Sequence, residues 1–256
     1  MSSAPTSPVI VISPAVRAGT TLVQRLLCSA PNTLIYGDLT GQEMDFLAKY
    51  VYSRQQMLAH HESLAGPQRE VVRAGGTDEF LTALTPSPTM QHRQWRDAAL
   101  AWLRGCEEDA AAQGRSVWGW KLAGVDGFAL STLAAWLPEA RWIWVRRKIE
   151  DCFRSAKAAH MAEGTEGARQ FFLQAEHSTR MWQAAGMKHR LELDYHAMLA
   201  DPAGTVQRLE AFTGASGIDP AVFGRKINDI GARWNPPASL TPEENAIFNP
   251  AIAASA

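Results

Sequence analysis

The chain has 256 residues, of which 46% are hydrophobic, enough to bury most of the surface its unfolded form exposes and suited to one large α/β domain over residues 1–256. A formal net charge of −1 excludes the general basic footprint of a protein that coats nucleic acid or an anionic membrane, so an anion site has to be local. Three widely spaced cysteines, Cys28, Cys106 and Cys152, form no Cys-x-x-Cys pair, which excludes a dithiol redox or zinc motif and suits reduced core or helix residues.

In chain order, the polar leader of residues 1–8 and the apolar run of residues 9–12 are too short for a signal-peptide core or a membrane span, so a cytoplasmic location is expected. That β-branched run predicts a first strand. A loop with Ser, Pro and Gly follows, and then Leu22, Val23, Leu26 and Leu27 at helical spacing predict a helix that Pro31 and Asn32 stop. A short apolar stretch at residues 34–36 leads to Gly37 and Asp38. Residues 40–114 show no strand pattern. Trp95, Ala99, Trp102, Leu103 and Cys106 recur there as one helix face ending at Gly114, so the region is expected to be a helical insertion that lines or covers an acceptor site, or else packs as plain core. Strands return at residues 116–121 and 141–146, around a helix at 128–136 closed by Pro138. Helices at 150–161 and 167–185 and a strand at 190–194 follow. Asp201 and Pro202 then supply an N-cap and first-turn proline for a helix with Val206, Leu209 and Phe212. The tail from about residue 231 is rich in Pro and Ala, with one weak helical piece at 242–248. Strands alternating with helices predict a three-layer, P-loop-like α/β fold with a central parallel sheet, and such sheets bind ligands at the carboxyl ends of their strands.

Two segments carry the chemistry. Arg17, Ala18, Gly19, Thr20, Thr21 and Leu22 bring a cation, a glycine and two hydroxyls to a helix start, where unpaired N–H groups and the helix dipole favour a phosphate. The Walker pattern is absent, because Thr20 follows Gly19 directly with no lysine between them. The same residues also suit an ordinary βα turn in which Thr20 caps the helix. In the second segment a strand ends at Arg146 and Arg147, Asp151 follows Arg147 by four residues and Ser155 by eight. A guanidinium fork at a strand end and a serine on the next helix can converge on one phosphate, although Arg146, Arg147 and Lys148 also suit a solvated charge cluster.

Together these segments resemble the phosphate-binding segments of the sulfotransferase superfamily, whose 5′-phosphosulfate loop reads Pro-(Arg/Lys)-Ser-Gly-Thr-Thr-Leu between strand and helix. Val16 stands for the usual proline and Ala18 for the usual serine, which removes one hydroxyl; Lys148 and Ile149 replace a turn pair in the second segment. Val117-Trp118-Gly119-Trp120-Lys121 is similar to the superfamily's Trp-Gly-x-Lys strand. Tyr195, Leu199, Asp201 and Pro202 are similar to its Tyr-x-x-Leu-x-x-Asp-Pro stretch, and residues 234–244 are similar to its C-termini. The resemblance runs from residue 9 to about 214. It implies 3′-phosphoadenosine 5′-phosphosulfate as donor, a small-molecule acceptor and no metal, with Arg17, Ala18, Gly19, Thr20, Thr21 and Leu22 at the 5′-phosphate, Lys121 assisting there, and Arg147 and Ser155 at the 3′-phosphate. No cluster of His, Cys and Asp with metal-ligand spacing is present in the sequence.

The resemblance leaves the base to be found. The histidine of the superfamily's cytosolic branch would fall at Ala123, and the carboxylate of other branches points to Asp38 or Glu43. Thr40 and Glu43 have the form of a capping box, which would occupy Glu43 at a helix start, so Asp38 is the first choice, with a plain Asx turn as its alternative. His60, His61 and His160 stand in reserve. Two other functions fit the same residues: a P-loop-type nucleotide kinase, and a non-catalytic relative that keeps the nucleotide site alone.

Overall fold

The computed structural model describes residues 7–225 and 238–249 apart from 77, 79, 80 and 83, and of residues 58–61 the backbone alone. The elements run β1 (Val9–Ser13), α1 (Thr20–Ser29), β2 (Thr33–Tyr36), α2 (Asp38–Arg73), α3 (Pro88–Ala112), β3 (Val117–Ala123), α4 (Gly127–Trp136) and β4 (Arg141–Arg146). They continue through α5 (Ile149–Ala158), α6 (Gly164–Ala184), β5 (His189–Asp194), α7 (Tyr195–Ala200), α8 (Pro202–Thr213), a 3₁₀ turn at Pro220–Gly224 and α9 (Pro242–Phe248). The five strands form one parallel sheet in the order β2-β3-β1-β4-β5.

Both faces of the sheet are covered, as the nearly continuous apolar character of β1, β3 and β4 requires. Alternation along the strands divides the core. Ile10, Ile12, Trp118, Trp120, Trp142 and Trp144 meet residues of α2, α3, α4 and α6 on one side, where Trp144 stacks on Trp182 at 4.8 Å. Val9, Val11, Ile143 and Val145 meet α1 and α8 on the other.

The expected helical insertion is α2 and α3. Of the face predicted for α3, Ala99 and Leu103 are buried, but Trp95 and Trp102 are each 39% exposed. The buried stripe is Ala99, Leu100, Leu103 and Ala110, so the two indoles lie on its flank, where Trp95 packs edge-on to Tyr50 at 5.2 Å. The capping box expected at Thr40 and Glu43 does not form. α2 begins two residues earlier, at Asp38, with Gly37 as N-cap and no side-chain cap. Asp201 caps α8 as expected, accepting from the Gly204 N–H, and the weak C-terminal piece is α9, with a capping box of its own between Thr241 and Glu244. Among the described residues no helix is long and apolar enough to cross a membrane.

Candidate active site

The carboxyl ends of β1, β3, β4 and β5 bring the predicted segments together. The loop after β1 makes an uncommon turn: Arg17 has φ 68° and Gly19 φ 109°. A left-handed arginine costs of order 1–3 kcal/mol and persists only where its surroundings hold it. Here the turn aims the Arg17 side chain at α5, where Nε donates to Ser155 Oγ at 3.1 Å. Arg147 closes the arrangement from β4, as its Nη1 donates to the Arg17 carbonyl oxygen at 3.1 Å. Residues that are 130 or more positions apart therefore form one cationic junction at the start of α1. Arg146 does not enter it, facing Glu192 at 3.6 Å instead.

Gly19 is the N-cap of α1, and no side chain caps that helix, so its first N–H groups are open to a ligand. Thr21 is exposed and Thr20 is 2% exposed at the foot of the loop. The Leu22 side chain joins the core on the α1 face, and its N–H donates to the Gly19 carbonyl oxygen at 3.0 Å. Ala18 is fully buried with Ala15, Cys152 and Ala175. Its methyl group serves packing, and burial among these residues pushes the Cys152 thiol up to about 12.

Tyr195, marked in the sequence only as the start of the stretch similar to the superfamily's Tyr-x-x-Leu-x-x-Asp-Pro, is a residue on which the loop packs. The Arg147 guanidinium lies 4.6 Å above its ring. A Cβ on Gly19 would fall 2.5 Å from Tyr195 Cδ2, so only glycine lets the loop close on the ring. Tyr195 follows Asp194, which caps α7 by accepting from the N–H groups of His196 and Ala197. His196 Nε2 stands 3.4 Å from Asp151 Oδ2, placing Asp151 beside α7 at the edge of the junction.

Asp38 and Lys121 form the second constellation. Lys121, 4% exposed near the end of β3, donates through Nζ to Asp38 Oδ2, and the Ala123 N–H donates to Oδ1 at 3.2 Å. The Asp38 side chain stays 43% exposed. Position 123 thus contributes a backbone donor to the carboxylate. Gly41 permits the approach, because a Cβ there would run into the Lys121 carbonyl oxygen and lie 2.8 Å from Leu122 Cβ. Glu43 lies five residues beyond Asp38, roughly 140° further round the helix, and faces α3. There its charge adds to burial and to that of Asp109 in raising the Cys106 thiol.

His160 is exposed and paired with Glu163 at 2.8 Å. The side chains of His60 and His61 lie outside the described residues, as do residues 234–237 of the C-terminal stretch.

A model of the sulfotransferase family matches residues 8–220. No curated protein matches the chain. Among solved structures, the sulfotransferase domain from the Synechococcus PCC 7002 olefin synthase superposes with a TM-score of 0.51 at 17% identity, covering 98% of this chain and 97% of that one. The sulfotransferase domain from the curacin biosynthetic pathway gives 0.47 at 14% identity, covering 97% and 98%. Sulfotransferase STF1 from Mycobacterium tuberculosis H37Rv gives 0.41 at 17% identity, covering 96% and 71%. The olefin synthase domain supports the fold, and the family model, spanning well over half of the chain, establishes that it belongs to the sulfotransferase family.

Proposed function

We propose that the chain transfers the sulfuryl group of 3′-phosphoadenosine 5′-phosphosulfate to a hydroxyl or amine of a small-molecule acceptor. The observation that carries this reading is the junction of Arg17, Ser155 and Arg147 at an uncapped helix N-terminus. The residues fit such a donor. Arg147 Nε is buried without a partner, a donor group that a bound phosphate would satisfy. The bound donor supplies an activated sulfuryl group, released by breaking the S–O bond to the 5′-phosphate, which leaves with the electron pair as 3′,5′-bisphosphoadenosine.

Arg17, Thr20, Thr21 and the N–H groups of Ala18 and Gly19 in the loop and of the first two residues of α1 offset charge on the leaving 5′-phosphate, while Leu22, whose N–H closes the first turn on Gly19, anchors the helix start. Arg147 and Ser155 hold the 3′-phosphate through a charge-assisted fork and a hydroxyl. Asp38 takes the acceptor's proton as the acceptor oxygen or nitrogen bonds to sulfur. Lys121 and the Ala123 N–H fix the two carboxylate oxygens, and the Lys121 ammonium offsets negative charge where a polyanionic donor and a carboxylate must coexist. Residues 1–256 serve this reaction as one catalytic domain, acting in the cytoplasm without a metal, a nucleic acid or a membrane.

The kinase reading gives way to family membership, in agreement with the missing Walker lysine; 3′,5′-bisphosphoadenosine should bind without metal, and ATP with magnesium should not. The decisive experiment is transfer from labelled donor to a panel of acceptors by wild type and Asp38→Asn. Removing a positioned base lowers turnover on the order of a hundred- to ten-thousand-fold, with bisphosphoadenosine affinity unchanged. Full activity in Asp38→Asn would overturn the assignment of the base. Donor binding without transfer to any acceptor would favour the non-catalytic relative.

A further inference from the structure

A cleft of about 220 Å³ lies against the same loop, lined by residues 14–16, Gly124, Met161, Phe171 and Gln174. Its position ties it to both constellations. Residue 16 precedes Arg17, whose carbonyl oxygen and guanidinium form the cationic junction. Gly124 follows Ala123, whose N–H holds Asp38. The cleft therefore borders the residue before the junction and the residue after the strand end that holds the carboxylate.

The lining sets the chemistry of that molecule. Among the described residues no charged side chain contributes to it, and Gln174 is its one polar side chain. That amide is tethered through Nε2 to the Gly124 carbonyl oxygen at 3.3 Å. Phe171 packs against the small cluster of Ala15, Ala18, Cys152 and Ala175 and makes an apolar floor, whereas Met161 is 56% exposed and stands at the mouth. A charged group would lose hydration here without meeting a counter-ion, whereas the backbone groups and the Gln174 amide that form the polar part of the wall suit a hydroxyl. Each methylene buried on such a wall is worth about fourfold in affinity. The volume lies below the roughly 300–1,000 Å³ of clefts that take drug-sized ligands.

We infer that this cleft receives the acceptor and that the acceptor is a small, uncharged, apolar alcohol, with Met161 and Gln174 setting its specificity. The inference rests on the sulfuryl-transfer reading above and goes beyond it in naming the acceptor class and the residues that select it.

The test uses the full chain, labelled donor, the linear alcohols from 1-propanol to 1-hexanol, and 6-hydroxyhexanoate. A calorimetric titration with 3′,5′-bisphosphoadenosine comes first, followed by titration of each alcohol into the nucleotide-loaded protein. The expected result is that kcat/KM rises about fourfold per methylene and that 6-hydroxyhexanoate is at least tenfold poorer than 1-hexanol. Met161→Glu should raise the KM for 1-hexanol at least tenfold with kcat and nucleotide affinity unchanged, and Gln174→Arg should narrow or reverse the preference against the hydroxy acid. If the nucleotide does not bind wild type, the sulfuryl-transfer reading fails. If it binds but no alcohol binds the loaded protein, or the chain-length series is flat, or the hydroxy acid is preferred, or Met161→Glu leaves KM unchanged, the acceptor inference is overturned while the donor reading stands.

Discussion

Replacing Gly19 with alanine tests whether the Tyr195 ring aligns the phosphate loop with Arg147. The backbone there has φ 109°, and a Cβ would lie 2.5 Å from Tyr195 Cδ2 and 3.0 Å from Cε2. Holding an alanine in a left-handed conformation costs about 1–2 kcal/mol. The overlap adds to this, since the nearer distance is about 1 Å inside ordinary carbon contact and overpacking of that kind costs about 1–3 kcal/mol. The sum, about 2–5 kcal/mol, has to be met by moving the ring, which then leaves its place 4.6 Å beneath the Arg147 guanidinium. Stability by denaturant unfolding and affinity for 3′,5′-bisphosphoadenosine by calorimetry should both fall in Gly19→Ala. Tyr195→Ala removes the obstacle, so in the double variant only the backbone cost should remain, and the two effects should fall short of additivity by more than about 1 kcal/mol. Wild-type stability and affinity in Gly19→Ala, or strict additivity in the double variant, would refute the idea that glycine is required by the ring.

Three further outcomes are expected. Arg147→Ala should weaken 3′,5′-bisphosphoadenosine by about 2–3 kcal/mol, the loss of a charge-assisted contact, and adenosine 5′-phosphosulfate much less; equal losses in calorimetry would remove Arg147 from the 3′-phosphate. Gly41→Val should force the first turn of α2 off β3, since the obstructing atoms are the Lys121 carbonyl and Leu122 Cβ, costing about 1–3 kcal/mol in urea unfolding and lowering turnover by separating Asp38 from Lys121. The buried Glu244 carboxylate pairs with Lys157 at 2.7 Å; burial opposes its charge, but Lys157 and the Thr241 N–H outweigh burial and hold it below its ordinary value. Its contribution to stability is therefore present above the unfolded carboxyl range near pH 4.3 and lost as pH falls through the lower folded value, so the acid-side decline in Tm should shrink in Glu244→Gln.

Much of the fold was legible because its signals are local. The β-branched run of β1, the apolar run of β4 and the pair Asp201-Pro202 each mark an element through its own residues. The failures in α3 and α2 have a common cause. Helical spacing put Trp95 and Trp102 on the buried face, but burial of a helix stripe depends on which neighbour it meets, and the neighbours cover the stripe of Ala99, Leu100, Leu103 and Ala110. Likewise, the sequence form of a capping box at Thr40 and Glu43 competes with a long-range contact, the docking of Asp38 on Lys121 and Ala123, and the long-range contact sets where the helix starts.

The same distinction separates the parts of the site. Spacing alone could pair Arg147 with Ser155, since strand end and following helix are adjacent in the chain. It could not place Tyr195 between Gly19 and Arg147, or Asp38 against Lys121, because each of these contacts joins elements whose neighbourhood is fixed by the strand order β2-β3-β1-β4-β5. That order puts β3 and β4 on either side of β1, so the loop after β1 receives the Asp38 and Lys121 pair from one flank and Arg147 from the other. A parallel sheet in which the central strand carried a different loop would hold both flanks equally well. What the proposed transfer reaction would draw on here is a cation and an uncapped helix after β1 with a carboxylate held on the neighbouring β3.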